Sequence, residues 1–230
     1  MDANNQRTAL ALAAVLALAP LTAEATISRA VQFDEKVDRA ASIVVGRVVS
    51  QESSWDAGRQ RILTHSKIAV EKTLKGSPAQ ELTIVTPGGT VGDIAQDYVG
   101  VPRFHTGDEN VVFVRQTGAG PTVLFFEQGA YRLEKNSAGE RMVVPLVSTA
   151  VLVDEKRGVA AAPESPRSLG DFERSVRDAI GRRELNRMRL IEQKKREEAT
   201  FWNQVNRNRT LVVLALLGAV VATWKLLKRS

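Results

Sequence analysis

The sequence predicts a mainly β fold, an antiparallel sandwich or small barrel with a short helix at its start and a long helix after it. Two observations predict this fold. Short β-branched segments, most of them divided by glycine-containing turns, follow one another between residues 43 and 147. A single short helical pattern precedes them, and a longer one follows. Strands at such spacing are typical of antiparallel architectures, whereas parallel sheets alternate strands with helices.

The first predicted element is a short amphipathic helix within residues 28–42. Phe33, Val37 and Ala41 recur there at intervals of four residues, which places them on one helical face. The β-branched segment from Ile43 to Val49 follows as a strand. Gly46 interrupts this segment and predicts a bulge or a sharp bend.

A long, half-buried strand is predicted over residues 61–74. Alternate positions beginning with Ile62, Thr64 and Ser66 fall on one face of this strand, which ends at Lys75 and Gly76. Five further strands are predicted over residues 81–86, 109–115, 122–128, 130–135 and 141–147.

A loop of unusual length, residues 87–107, separates two of these strands. Loops this long without regular structure are often functional. We therefore predict a contact loop whose candidate residues are Pro87, Gly88, Gly89, Asp93, Asp97, Arg103 and His105.

Two apolar runs near the ends of the sequence predict export and a membrane anchor. Residues 1–25 combine Arg7, a 13-residue apolar run and a small-x-small site, which is typical of a signal peptide cleaved before Thr26. An uncleaved anchor is the alternative. Residues 210–227 predict one transmembrane helix, with residues 228–230 as a basic cytoplasmic tail. The expected product is a single-pass membrane protein with most of its chain in the periplasm or at the cell surface.

Composition divides the region between the two runs. The folded domain is expected over residues 26–153, a linker containing proline and small residues over 154–167, and an amphipathic then basic helical stalk over 168–209. The stalk has only a thin apolar stripe at Leu185, Met188 and Ile191. A solvated helix, a weak coiled-coil seam and a contact with anionic lipid all remain open for it.

The charge distribution argues against nucleic acid as a partner. Residues 26–166 contain 16 Lys and Arg against 17 Asp and Glu, whereas residues 167–230 contain 15 against 7. The basic excess therefore belongs to the stalk and tail, not to the predicted domain. The chain has no cysteine, which excludes disulfides, thiolate nucleophiles and cysteine metal sites.

Three segments together resemble a known family: residues 40–50, residues 66–76 ending in Leu-Lys-Gly, and residues 107–114. Their order is similar to that of netrin-like domains, including tissue inhibitors of metalloproteinases, and of a set of uncharacterised bacterial exported proteins. The resemblance implies an OB-like barrel of five strands with flanking helices. The inhibitors cap a protease zinc with an N-terminal cysteine, and this chain has no residue for that role.

The sequence predicts no catalytic, cofactor-binding or metal site. His65 lies within a strand, where its immediate neighbours point to the opposite face. His105 lies beside Asp108 and Glu109 but lacks the spacing of a zinc site. Asp93 and Asp97 do not form a calcium-loop pattern.

We therefore expect a non-enzymatic binding module, held at a membrane by its C-terminal helix, with an envelope protein or polymer as partner. Two alternatives stay open. One is an envelope hydrolase that uses His105 with Asp108 or Glu109, and the other is a structural subunit of a membrane complex.

Overall fold

The computed structural model describes residues 26–147, 150–210, 213, 224 and 228. The predicted signal peptide and nearly all of the predicted transmembrane helix lie outside the described residues. The chain divides into two compact units, Met1–Leu169 and Gly170–Ser230. The described part of the first unit is mainly β.

The helices and strands follow in chain order. The helices are α1 (Phe33–Arg39) and α2 (Leu169–Arg207), with a 3₁₀ turn at Phe126–Gly129. The strands are β1 (Ile27–Arg29), β2 (Ser42–Trp55), β3 (Ile62–Lys75), β4 (Glu81–Pro87), β5 (Gly89–Val91), β6 (Ile94–Gln96), β7 (Glu109–Thr117), β8 (Gly120–Val123), β9 (Ala130–Lys135), β10 (Arg141–Pro145), β11 (Val151–Asp154), β12 (Val159–Ala160) and β13 (Arg167–Ser168).

The main sheet has the order β13-β10-β9-β7-β2-β3-β4, and β8 also pairs with β7. All of its pairings are antiparallel. The predicted antiparallel, mainly β fold is therefore confirmed.

The long hairpin of β2 and β3 lies between β7 and β4 in this sheet. Its register shifts at three points, one of them between Val45 and Gly46. A Cβ at Gly46 would collide with the carbonyl group of Ala69 and the side chain of Ile68. Glycine is needed here because the partner strand approaches too closely for a side chain, and the predicted bulge at Gly46 is confirmed.

The described strands do not close a barrel by backbone pairing. The sheet nevertheless curves enough to bring β8 against β4, where the hydroxyl of Thr122 donates to the carbonyl oxygen of Val85 at 2.7 Å. The side chain of Thr122 thus joins the two strands.

Three predicted boundaries were wrong. The predicted strand over residues 122–128 ends at Val123, because Phe125 and Phe126 have left-handed backbone angles and lead into the 3₁₀ turn. The predicted loop of residues 87–107 contains the hairpin of β5 and β6, whose turn is at Gly92 with φ of 59°. The first predicted helix is shorter than expected, because Ile27–Arg29 instead pair with Val151–Val153 as parallel strands β1 and β11.

The core lies between the curved sheet and the loops that cover it. Its centre contains valine and isoleucine side chains of β2, β3, β4 and β7. Phe104, from the loop before β7, joins this cluster with 4% of its surface exposed. Burial of this aromatic ring fixes the position of the loop on either side of it.

Helix α2 has two parts. Its first turns contain the buried residues Phe172, Val176 and Ala179 at helical spacing. From residue 181 to 210, every residue whose burial is described is exposed. Within the part of the chain that the structure describes, no helix is both long and apolar enough to cross a membrane.

Candidate functional site

Most of the residues predicted for the contact loop line one cleft of about 480 Å³. The hairpin of β2 and β3 supplies its floor, and the chain from β4 to β7 supplies its walls. Six of the seven predicted residues line it: Pro87, Gly88, Gly89, Asp97, Arg103 and His105. The seventh, Asp93, lies in the exposed turn between β5 and β6 and is not among the lining residues. We call this cavity the loop cleft.

The floor of the loop cleft is a chain of hydroxyl groups. Ser53 and Thr64 are direct partners across β2 and β3, with their oxygens 2.9 Å apart. Thr64 donates its one hydroxyl proton to the carbonyl oxygen of Gly88 at 2.6 Å. Ser53 is therefore the donor to Thr64. The lone pairs of Ser53 remain as acceptors for a ligand.

Gly89 allows the wall to approach this floor. Its φ of 130° is unfavourable for other residues, and a Cβ would collide with the hydroxyl oxygens of Ser53 and Thr64. The preceding residue, Gly88, donates its N–H to the carbonyl oxygen of Ile62 at 2.8 Å. The Gly88-Gly89 pair thus allows β5 to pack closely against the hairpin of β2 and β3.

Charged residues line the wall of the loop cleft near its mouth. Arg103 and Asp97 form an ion pair between two exposed side chains. They lie in one loop, whose position is fixed by the buried ring of Phe104. Exposed ion pairs of this kind contribute little to stability. A ligand can therefore replace either partner at little energetic cost.

His105 and Asp108 form the only part of the predicted hydrolase site that the structure brings together. Their Nδ1 and Oδ2 atoms are 3.3 Å apart, and Asp108 also accepts the backbone N–H of His105 at 3.0 Å. Glu109 lies elsewhere, paired with Arg47 and Arg141. Among the described residues, no group of three His, Asp or Glu side chains could hold a metal.

A second polar cluster lies beneath the segment that precedes α2. Lys36 of α1 is only 2% exposed. Its ammonium donates to the hydroxyl of Tyr131 at 2.6 Å, to the carbonyl oxygen of Gln128 at 3.1 Å and to the carboxylate of Glu164. Tyr131 in turn donates to the other oxygen of Glu164 at 2.9 Å. All three ammonium protons therefore have acceptors.

Burial dominates the proton affinities in this cluster. It lowers the pKa of Lys36, although the Glu164 carboxylate acts in the opposite direction. Burial raises the pKa of Tyr131 well above its ordinary value, and Glu164 adds to that increase. Because its proton donors and acceptors are matched inside the protein, we interpret the cluster as a structural anchor for the segment containing Glu164.

The sequence reasoning missed both the hydroxyl floor and the lysine cluster. The predicted alternation of β3 did place Thr64 and Ser66 on the face of Ile62, but their polar side chains gave no sign of a cleft. Nothing local marks Lys36, because its partners Tyr131 and Glu164 are 95 and 128 residues away.

No protein-family model, curated protein or solved structure matches this chain.

Proposed function

We propose that this protein is a non-enzymatic binding module, exported and held at a membrane by its C-terminal apolar segment, with the loop cleft as its contact surface. The partner is an envelope protein or polymer. The observation that carries the proposal is the gathering of six predicted loop residues around one cleft with a hydroxyl floor.

The polar groups of the loop cleft favour a ligand that forms hydrogen bonds. Ser53 offers acceptor lone pairs on the floor, and Asp97 and Arg103 offer an acceptor and a donor group at the wall. A peptide backbone or the hydroxyl groups of a polysaccharide would match such alternating donors and acceptors.

The curvature of the sheet supports an OB-like barrel as the finer description of the fold. The bond between Thr122 and Val85 brings β8 to β4 at the point where a barrel would close. OB folds bind their ligands through one face and the adjoining loops. The loop cleft, which lies over β2 and β3, is consistent with that mode.

Site-specific photo-cross-linking in intact cells tests the contact surface. A photoreactive amino acid replaces Thr90, which is exposed and lines the loop cleft, or Ser137, which is exposed in the turn between β9 and β10. We expect an adduct of defined mass from position 90 and none from position 137. A Ser53→Leu substitution, which fills the floor, should abolish the adduct, whereas Arg189→Gln on α2 should leave it unchanged. Equal adducts at both positions would contradict the proposal.

Protease accessibility tests the location. If residues 26–209 are extracytoplasmic, protease added to spheroplasts should cleave the domain while a C-terminal tag remains protected. Protection of the domain in spheroplasts would contradict export.

The hydrolase alternative has one observation in its favour, the contact between His105 and Asp108 at the cleft wall. If His105 were a general base, His105→Ala would lower turnover of a susceptible envelope substrate about 100-fold or more. For a binding module, the same substitution changes affinity modestly.

The alternative of a structural subunit depends on α2, whose residues 181–204 are all exposed. If a membrane complex binds α2 through the stripe of Leu185, Met188 and Ile191, replacing all three by serine should dissociate the protein from that complex. The replacement should leave the cross-link at position 90 intact if the loop cleft is the contact surface.

A further inference from the structure

A second cavity, of about 450 Å³, lies behind the wall of the loop cleft. The two cavities share Thr86, Pro87, Val101 and Pro102 among their lining residues. The second cavity has a buried apolar floor of Val31, Val101, Val123 and Leu124. Its volume is in the range of sites for small organic ligands. We call it the arginine pocket.

Three guanidinium groups line the arginine pocket: those of Arg29, Arg39 and Arg115. No Asp or Glu is among the described lining residues. Glu35 forms a bidentate pair with Arg29, at 2.8 and 2.9 Å, and a weaker contact with Arg39 at 3.3 Å. Glu155 approaches Arg29 at 3.8 Å. No ion pair to Arg115 is found within the described part of the chain, so the lining retains an excess of positive charge.

Two consecutive phenylalanines form one side of the arginine pocket in an unfavourable backbone conformation. Phe125 has φ of 58° and Phe126 has φ of 57°. Left-handed angles are costly for residues with large side chains and occur mostly at glycine or asparagine. Phe126 nevertheless remains 57% exposed, so burial of its ring does not offset this cost.

The surrounding structure holds this turn on both sides. The backbone N–H of Leu124 donates to Phe113 at 2.7 Å, and that of Glu127 donates to Gly100 at 2.8 Å. The side chain of Gln128 accepts from the N–H of Val31 at 2.8 Å and donates to the carbonyl oxygen of Arg29 at 3.0 Å. Strained residues held in this way cluster at ligand-binding sites.

The strained turn also positions a charge. The guanidinium of Arg39 lies over the ring of Phe125, 5.8 Å from its centre. This cation–π contact keeps Arg39 beside the cavity, and the Nε of Arg39 also forms an ion pair with Glu35. Aromatic and basic groups thus face one apolar floor.

We propose that the arginine pocket binds a small organic carboxylate with an aryl or alkyl body. The carboxylate pairs with Arg115 and Arg39 at the rim, and the apolar body lies between the ring of Phe126 and the floor formed by Val101 and Leu124. Charge complementarity selects the anion, because guanidinium groups bind carboxylates through paired N–H donors. The ligand proposed for the arginine pocket therefore differs from the peptide or polysaccharide proposed for the loop cleft.

Calorimetric titration of the full chain in detergent micelles tests the site, with 4-phenylbutyrate as the probe and 4-phenyl-1-butanol as its neutral match. We expect saturable, one-to-one binding of the carboxylate and at least about tenfold weaker binding of the alcohol. Arg115→Gln should weaken carboxylate binding about tenfold, because it removes one charge-assisted hydrogen bond. Arg189→Gln, which removes an exposed arginine of α2, is the matched control and should leave the affinity unchanged.

A substitution at Phe126 separates a binding role from a structural one. Phe126→Asn retains a residue that tolerates left-handed angles, so the melting temperature should stay the same or rise. Binding of 4-phenylbutyrate should weaken about fivefold because the ring no longer covers the ligand. Equal affinity for carboxylate and alcohol would overturn the proposal. So would an unchanged affinity in Arg115→Gln, or a loss of stability without a loss of binding in Phe126→Asn.

Discussion

The ammonium group of Lys36 lies 2.6 Å from the hydroxyl of Tyr131, although α1 and β9 are separated by most of the domain's sequence. Glu164, from the segment before β13, binds both groups. A single carboxylate thus ties a late segment of the first unit to its earliest helix and to the main sheet.

We predict that Glu164→Gln is more destabilising than the double substitution Lys36→Met with Glu164→Gln. The single substitution leaves a buried ammonium without its carboxylate, which we expect to lower the free energy of unfolding by about 2–3 kcal/mol. Methionine fills the space of lysine without a charge. Urea denaturation of the parent and of both variants gives the comparison, with Glu155→Gln at an exposed position as the control. A double variant less stable than Glu164→Gln would contradict this prediction.

Tyr131 should ionise well above its ordinary pKa of 10.0 while the protein remains folded. Burial is the main cause; Glu164 adds to it and Arg167 opposes it. The pKa of Tyr131 is higher in the folded than in the unfolded protein. Its contribution to the free energy of unfolding is therefore complete below pH 10 and is lost as the pH rises through the folded pKa. The chain has two tyrosines, so absorbance at 295 nm in Tyr98→Phe reports Tyr131 alone. Ionisation near pH 10 before unfolding would contradict its burial.

Glu71 should contribute to stability at neutral pH and lose that contribution in acid. Arg141 binds both of its carboxylate oxygens, at 2.6 and 2.8 Å, and this hydrogen bonding lowers the pKa of Glu71 below 4.5. Nearby Arg47 and Lys72 act in the same direction. A lowered folded pKa gives stability that is present above pH 4.5 and lost as the pH falls through the folded value.

The variant Glu71→Gln should therefore be less stable than the parent by up to about 1 kcal/mol at pH 7, because solvent screens the half-exposed carboxylate of Glu71. The difference should shrink toward zero as the pH falls from 4.5 through the folded pKa of Glu71. Thermal unfolding at a series of pH values measures it, and Asp93→Asn in the exposed turn after β5 serves as the control. A difference that persists unchanged in acid would assign the effect to packing.

Gly89 should tolerate alanine far less well than Gly118. A Cβ at Gly89 collides with the hydroxyl groups of Ser53 and Thr64, whereas a Cβ at Gly118 meets nothing within 4 Å. We expect Gly89→Ala to lower the free energy of unfolding by about 2–4 kcal/mol and Gly118→Ala to change it by less than about 0.5 kcal/mol. Chemical denaturation compares the two. Equal effects would show that the wall of the loop cleft can move away from its floor.

The parts of the fold that follow local rules were predictable. The alternation of β3, the bulge at Gly46 and the helical period of Val37 each depend on neighbouring residues in sequence. The same local reasoning failed at Phe125 and Phe126, because an apolar aromatic pair has a high strand propensity. Hydrogen bonds to Phe113 and Gly100 override that propensity and impose left-handed angles.

The candidate site was predictable as a stretch of chain but not as a surface. The length of the segment from Pro87 to Gly107 indicated a contact region, and six of its named residues line the loop cleft. Its floor came from the register of β2 and β3, which aligns Ser53 with Thr64. Strand register depends on the whole ladder, and no short motif in the sequence specifies it.

By itself, the sequence determined the mainly β class, the charge division between domain and stalk, and the loop that lines the cleft. Tertiary structure alone decided that Lys36, Tyr131 and Glu164 share one buried cluster and that three arginines surround one apolar floor. The physical reason is distance along the chain. Local patterns arise from the repeat of a helix or strand, whereas these groups meet only because the sheet curves and the late segment of the first unit returns to α1.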